Sequence, residues 1–345
     1  MTRATSFTNL PQRFNTWVRG LYPRFRAYLP ILASYLRRYW SLYLMLLLPI
    51  AFFVIFRYWP MINVLLAFKR NNVIDPVMSV DWARSWDFIV GPYQISLPAM
   101  ENFERAFSHP PFREAVRNTL MFSILDLAAG FPAPIILALL LNELRFKKFK
   151  RVTQTISYMP HFLSWIIISG LAIRLFSPST GAFNNIIYNW FGLEPVRLLT
   201  SPNHWVGLVV GSGVWRSVGF STIIYLAAIT SVNPELHEAA QVDGASRLRR
   251  MWHVTLPGIR HVIIILFILA LGGTMGADFE RFMAMQNSLV RSVSQVLPLY
   301  VMEWGLNNLQ FSLAAAVGLF QNIINLILLL SANKIVKKLG GQGLW

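Results

Sequence analysis

Six long apolar stretches, residues 42–68, 118–141, 153–176, 205–232, 260–277 and 311–333, divide this chain of 345 residues. Each comes close to or exceeds the roughly 20 residues that carry a helix across a hydrocarbon core of about 30 Å. Inside lipid no water can satisfy backbone N–H and C=O groups, so spanning segments must be helical unless they close a barrel. The chain is therefore expected to be all-α and polytopic, with six transmembrane helices. Composition agrees, because 55% of the residues are hydrophobic and 13% are charged, against about 25% charged in a soluble globular chain.

The basic residues set the orientation. Of 31 Lys and Arg, seven fall in residues 1–41, five between Arg145 and Arg151, four in residues 231–260 and three from Lys334 to Lys338. Cytoplasmic loops collect such residues, so both termini are expected inside and residues 69–117 form the largest outer loop. Residues 177–203 and 279–310 are read as further outer loops. The net charge of +16 is thus a matter of membrane orientation, and no nucleic-acid partner is expected. The chain reads as a basic cytoplasmic tail at 1–41, a transmembrane domain at 42–333 and a cytoplasmic C-terminal tail at 334–345. Phe14, Trp17, Tyr22, Phe25 and Tyr28 interleave with arginines in the first tail, as in segments that lie on anionic lipid; a disordered basic tail would have the same composition. The first apolar run begins only at Leu42, too late for a signal peptide. With no cysteine in the chain, disulfides, thiol catalysis and cysteine metal sites are excluded.

Between the fourth and fifth stretches lies a polar island, Asn233 to Ile259. Asn233 can cap a helix that has Pro234 in its first position, with Glu235 and Glu238 near the positive end of its dipole. Gly244 interrupts this helix, Asp243 or Ser246 can cap a second, and Pro257 ends the segment. Two short helices meeting at a glycine elbow make a rigid knob, which suits a socket on a partner. His237-Glu238-Ala239-Ala240-Gln241 has the frame of a zinc site, but the second histidine is replaced by Gln241, whose neutral amide is a poor zinc ligand.

Glu238-Ala239-Ala240, Asp243-Gly244-Ala245 and Leu256-Pro257 resemble the cytoplasmic EAA loop of ABC importer permeases. From Tyr58 to Trp345 the chain is similar to the carbohydrate-uptake, LplB-like branch of those proteins, the MalF-like inner membrane components of binding-protein-dependent transport systems. Leu137 to Leu144, Ser157 to Trp165, Ile224 to Ala228 and Ala315 to Phe320 carry that likeness. The resemblance implies one half of a heterodimeric pore in the bacterial cytoplasmic membrane, completed by a second homologous permease subunit. It implies an oligosaccharide substrate, uronic-acid oligomers such as alginate included, delivered by an extracytoplasmic solute-binding protein. It further implies an ATPase dimer docked on the EAA loop through Glu238, Ala239, Ala240, Asp243, Gly244, Ala245 and Pro257. ATP-Mg would sit on that ATPase, and this chain itself would hold no cofactor and be no enzyme. No Gly-x-x-x-x-Gly-Lys-Ser/Thr phosphate loop occurs in the sequence, which agrees with that division of labour.

Charges inside apolar spans are costly unless paired or hydrated, and so mark candidate sites. Here they are Asp126, Arg174 and Arg216, with Asp278 and Glu280 at the end of the fifth stretch. Arg216, beside Trp215, is the leading candidate for the solute path, and an ion pair with Asp126 is its alternative role. Trp215, Tyr225, Asn322, Asn325 and Asp278 could offer a sugar stacking faces and hydrogen bonds; interhelical hydrogen bonding would explain the amides equally well. Gly211-Ser212-Gly213 lacks the strand and third glycine of a dinucleotide fingerprint. A self-sufficient secondary transporter would show carboxylate relays and broken helices, for which Asp126 alone is thin support. An intramembrane enzyme would need a nucleophile–base or metal set, and none can be assembled from the sequence.

Overall fold

The computed structural model describes residues 34–35, 37–68, 100–338 and 343–344. The expected interfacial tail, residues 69–99 of the first outer loop and the extreme C-terminus lie outside the described residues. The chain divides into two units, Met1–Asn63 and Val64–Trp345. In the first, helix α1 (Trp40–Phe53) continues through a π-helical turn at Val54–Tyr58 into Trp59–Met61. Pro60 has no N–H to return to the preceding turn, and a widened turn just before it accommodates the missing bond.

The second unit begins with α2 (Glu101–Ser108) and α3 (Pro110–Gly130). Pro110 and Pro111 open α3, where a missing N–H costs nothing; Pro132 opens the next helix, α4 (Pro132–Asn142). Across the described residues, four helical runs are long and apolar enough to cross a membrane: Trp40–Phe68, Pro110–Asn142, Pro202–Thr230 and Phe311–Lys338. The last two are α8 and α13, with α5 to α7 and α9 to α12 defined below.

The third and fifth expected spans take another form. Lys147–Phe162 meets Trp165–Phe176 at 104°, and Arg247–Gly258 meets Arg260–Gly272 at 63°; six spans result if each bent pair counts as one. In the first pair, α5 (Lys147–Tyr158) tightens into a 3-10 turn around Pro160, and Leu163 is extended at φ −80° and ψ 136°. Ser164 then restarts the chain as α6 (Trp165–Phe176), its Oγ accepting from Ile167 N. A proline followed by a capping serine is thus a full stop and a new start. In the second pair, Ile259 leaves the helical region between Gly258 and α11 (Arg260–Gly272). Between the two bent pairs, α7 (Ala182–Phe191) precedes α8.

The expected outer loop at 279–310 is instead built into the core. It folds as α12 (Phe279–Met285) and further single turns, with Phe282, Val290, Val296, Leu297 and Tyr300 completely buried. Polar residues of α3 anchor it: Asn118 Nδ2 donates to Gln295 O at 3.0 Å, and Thr119 Oγ1 accepts from Leu297 N at 2.8 Å. Trp205 Nε1 of α8 and Ser169 Oγ of α6 donate to Met285 O and Ala284 O. The segment's orphan carbonyls and N–H groups therefore find side-chain partners, the condition for burying irregular backbone. Tyr300 OH lies 2.9 Å from His109 Nδ1. Burial pushes the Tyr300 phenol up to about 12, against a smaller lowering from Arg105 and alongside a raising from Glu303. Burial also pulls the His109 imidazole below its ordinary value.

Among the described residues of this unit, three apolar clusters form the interior. Phe122, Trp165, Trp205, Phe282 and Met285 make the first; Phe112, Met275, Leu297, Tyr300 and Leu313 the second; Ile135, Tyr225, Ile229 and Ile259 the third. Helix α8 contributes to the first and third, and its close contact with α5 depends on Gly219, where any Cβ would collide with the Ser157 backbone. At Gly207 on the same helix a Cβ would meet nothing within 4 Å. Gly219→Ala should therefore cost roughly 1–3 kcal/mol through overpacking. Gly207→Ala should be neutral or slightly favourable, since alanine is the better helix former by about 1 kcal/mol. Thermal unfolding of the two purified variants, compared with wild type, checks the contrast.

Candidate functional site

The polar island folds as a two-armed knob. Helix α9 (Pro234–Val242) starts at Asn233, whose Oδ1 accepts from Glu235 N at 3.0 Å. It ends in a Schellman motif: Ala245 N donates to Ala240 O at 2.9 Å and Gly244 N to Gln241 O at 3.1 Å. That motif needs a left-handed residue in the position that Gly244 holds with φ +75°. Ser246, not Asp243, caps the second arm, α10 (Arg247–Arg250), while Asp243 terminates the first. Arg250 Nη1 donates to Gln241 Oε1 at 2.9 Å and braces the arms against each other.

The knob turns polar and apolar side chains outward together. Glu238, Ala239, Asp243, Gly244 and Pro257 are exposed, and Ala240 and Ala245 are half-buried. Leu236, Val242, Leu248 and Trp252 stand more than half exposed beside them. Exposed apolar side chains gathered on a rigid support are the mark of a surface that meets a partner.

The second site is a cavity of about 450 Å³ between α3, α6, α8, α11 and α12, whose wall includes Asp126, Trp165, Arg216, Tyr225, Asp278 and Arg281. Arg281 and Asp126 form a bidentate ion pair, Nη1–Oδ1 at 3.1 Å and Nη2–Oδ2 at 2.5 Å. The Arg281 guanidinium lies across Gly213, where a Cβ would strike Nη1, and 4.8 Å from the Phe282 ring centre. Asp278 caps α12 through Arg281 N and accepts a hydrogen bond from Trp165 Nε1 at 2.6 Å. Trp165, held in this way, presents its ring to Arg216 at 4.9 Å. Arg216 Nε donates to Leu163 O at 3.1 Å, a carbonyl freed by the break between α5 and α6.

Two acidic and two basic side chains thus share one wall, but they are not equally occupied. Asp126 and Arg281 neutralise one another, and Asp278 is engaged by an indole N–H and a helix start. Arg216 makes no ion pair among the described residues, so its terminal nitrogens are the uncommitted cationic donors of the cavity. Tyr225 is almost fully buried and belongs to the wall.

Of the side chains singled out from sequence, the fold therefore brings Asp126, Arg216, Tyr225 and Asp278 together. Trp215 and Asn322 are exposed away from the cavity. Asn325 Oδ1 accepts from Met275 N at 3.0 Å, tying α13 to the unwound end of α11. The alternative pairing of Arg216 with Asp126 does not occur, because Arg281 occupies Asp126. Trp165 and Arg281 were missed. Arg281 lies in a stretch that reads as an outer loop, and nothing in local spacing announces that it folds back against α3. The combination of a charged cluster at 278–281 with a lone span carboxylate was the one available signal.

A polytopic helical chain with a charged cavity between its helices and an exposed two-armed knob has the architecture of a membrane transport subunit. Residues 130–339 match the family described as binding-protein-dependent transport system inner membrane component, and the chain belongs to that family. It is 40% identical over 304 residues to the polygalacturonan/rhamnogalacturonan transport system permease protein YteP of Bacillus subtilis (strain 168), covering 88% of this chain and 90% of that one. It is 41% identical over 304 residues to protein LplB of the same organism, covering 88% and 91%. Among solved structures, a chain of the bacterial alginate ABC transporter in complex with alginate pentasaccharide-bound periplasmic protein superposes with a TM-score of 0.78 at 35% identity. That match covers 90% of this chain and 99% of the other.

The ion pair sets a test. The Arg281 side chain is 6% exposed, and a buried charge that loses its partner typically costs about 3–5 kcal/mol, whereas replacing both partners by apolar residues is often tolerated. Asp126→Ala should lower the unfolding temperature and recovery of the chain sharply. The double change Asp126→Leu with Arg281→Met should recover much of that loss, which thermal unfolding of both variants will show.

Proposed function

We propose that this chain forms one half of the translocation pore of an ATP-driven importer for carboxylate-bearing oligosaccharides. The observation that carries the substrate class is Arg216, a cation stacked on Trp165 with free terminal nitrogens facing a cavity whose other charges are spent. A planar guanidinium offers two parallel donors to a carboxylate. The relatives' names, polygalacturonan and alginate among them, point to uronic-acid chains as well. A second homologous permease completes the pore, an extracytoplasmic binding protein delivers the solute, and an ATPase dimer carrying ATP-Mg docks on the knob.

Both termini and the knob face the cytoplasm in this reading, supported by the basic clusters around them. Glu238 stands in the second turn of α9, where it can meet an arginine of the ATPase socket, and Leu236, Val242 and Trp252 supply apolar contact beside it. Gly244 holds the angle between the arms, and the second arm leads through the 63° bend into α11, whose Leu266 and Ala270 line the cavity.

Arg216→Ala should leave assembly and basal ATP hydrolysis intact while weakening uptake of an acidic oligosaccharide. Loss of one charge-assisted contact of roughly 1.5–3 kcal/mol raises the half-saturating concentration about tenfold or more, and a neutral oligosaccharide should be affected far less. Uptake assays with the reconstituted complex decide this; equal loss for both solutes overturns the carboxylate assignment.

Gly244→Asp imposes a left-handed strain of roughly 1 kcal/mol or more and swings α10 away from the socket. Glu238→Lys opposes the socket's expected arginine. Both should spare membrane insertion, the first uncoupling ATP hydrolysis from solute stimulation and the second reducing recovery of the ATPase subunits. Wild-type coupling and recovery in both variants would show that the knob is not the coupling element.

A further inference from the structure

The first turns of α5 carry a charge excess that the fold leaves unanswered. Arg145, Lys147, Lys148, Lys150 and Arg151 fall within seven residues, and no acidic residue occurs between Glu143 and Glu194. None of the five side chains has an ion-pair or hydrogen-bond partner among the described residues. Four of them crowd the start of α5, and Phe146 provides no side-chain cap. The backbone dipole disfavours positive charge at that end of a helix, so the cluster repels both itself and its own helix until an outside anion arrives.

The same helix bears an exposed apolar stripe. Phe149, Val152, Ile156 and Met159 are each more than half exposed, and at about 100° per residue they fall within roughly 80° of arc. Lys148 borders that arc, and Arg145, Lys148 and Arg151 are all exposed. The opposite side of α5 is taken by α8, through the contact of Ser157 with Gly219. The stripe runs about 15 Å along the helix, from the basic cluster toward the bend before α6. Cations at one end and apolar residues along the rest match a headgroup layer and the acyl chains beneath it. A soluble polyanion would answer the cations but leave Ile156 and Met159 facing water.

We propose that Arg145, Lys147, Lys148, Lys150 and Arg151 bind the phosphate headgroups of anionic phospholipids, with the stripe of α5 seated against their acyl chains. The placement of this site in the inner leaflet rests on the orientation given above. Lipid phosphate at the site supplies the counter-charge that α5 lacks and holds the bent pair of α5 and α6 at a fixed height in the membrane. Through Leu163 and Trp165, that pair also carries Arg216.

The chain's lack of cysteine makes the test direct. Phe146→Cys places one thiol beside the cluster for a bimane label, in the full transporter complex reconstituted into vesicles. Brominated phosphatidylglycerol in phosphatidylcholine, and the reverse mixture, then report which lipid quenches the label. A preference for phosphatidylglycerol of about fivefold or more is expected, falling toward one in high salt and in the variant K147Q/K148Q/K150Q/R151Q. If that variant fails to assemble, salt titration of the unaltered cluster decides the same question. No preference between the lipids overturns the proposal, as does a preference that survives both salt and the substitutions, or a label that neither lipid quenches because a protein subunit covers it. Because phosphatidylglycerol is present in both leaflets, the preference is independent of orientation. A Lys338→Cys thiol tests orientation separately: reaction with an impermeant reagent from outside intact cells would overturn the orientation and leave the lipid site standing.

Discussion

The bidentate pair between Arg281 and Asp126 holds together the charged wall of the cavity. In a low-dielectric wall neither charge is tolerable alone, and together they bind α12 to α3 across 155 residues of sequence. Gly213 leaves space for the Arg281 guanidinium, whose Nη1 a Cβ at that position would meet. Once Asp126 is occupied, Asp278 is free to cap α12 and to hold the Trp165 indole, and Trp165 in turn becomes the platform for Arg216. One structural ion pair therefore decides which cation of the cavity remains available.

Helix breaks do comparable work on either side of that network. The turn around Pro160 and Ser164 frees the Leu163 carbonyl for Arg216 and turns α6 toward α12. At the other end, Gly244 closes a Schellman motif and Arg250 braces Gln241, which makes the knob a rigid body. The knob's second arm continues through the bend at Ile259 into a helix of the cavity wall. A covalent helical path thus joins the exposed knob to the wall that carries the charges. Rigid elements joined at a few defined bends are what a subunit requires if work done at one end is to change the shape of the other.

Much of the architecture was legible without coordinates. The apolar stretches at 205–232 and 311–333 correspond to α8 and α13, because twenty or more apolar residues in lipid have no alternative to a helix. The knob was legible for a different reason: Asn233, Pro234, Gly244 and Ser246 are residues whose backbone chemistry acts within three or four positions, so capping and the left-handed angle follow from local sequence. The bent third span was not anticipated, although Pro160 and Ser164 marked its place, because hydropathy averages over a break that a proline and a cap create together.

By itself, then, the sequence determined that the chain lives in a membrane, that it is helical, and that a two-armed polar knob projects between its fourth and fifth apolar stretches. These follow from hydrophobic transfer and from interactions a few residues long. Only the tertiary structure decided that residues 279–310 fold back into the core, that Arg281 and not Arg216 takes Asp126, and that Trp215 and Asn322 stand outside the cavity while Trp165 forms its wall. Those outcomes depend on which side of a helix faces inward and on partners more than a hundred residues apart. In α8, whose apolar residues are spread around the helix, the inward side leaves no periodic trace, because lipid and protein interior favour the same side chains.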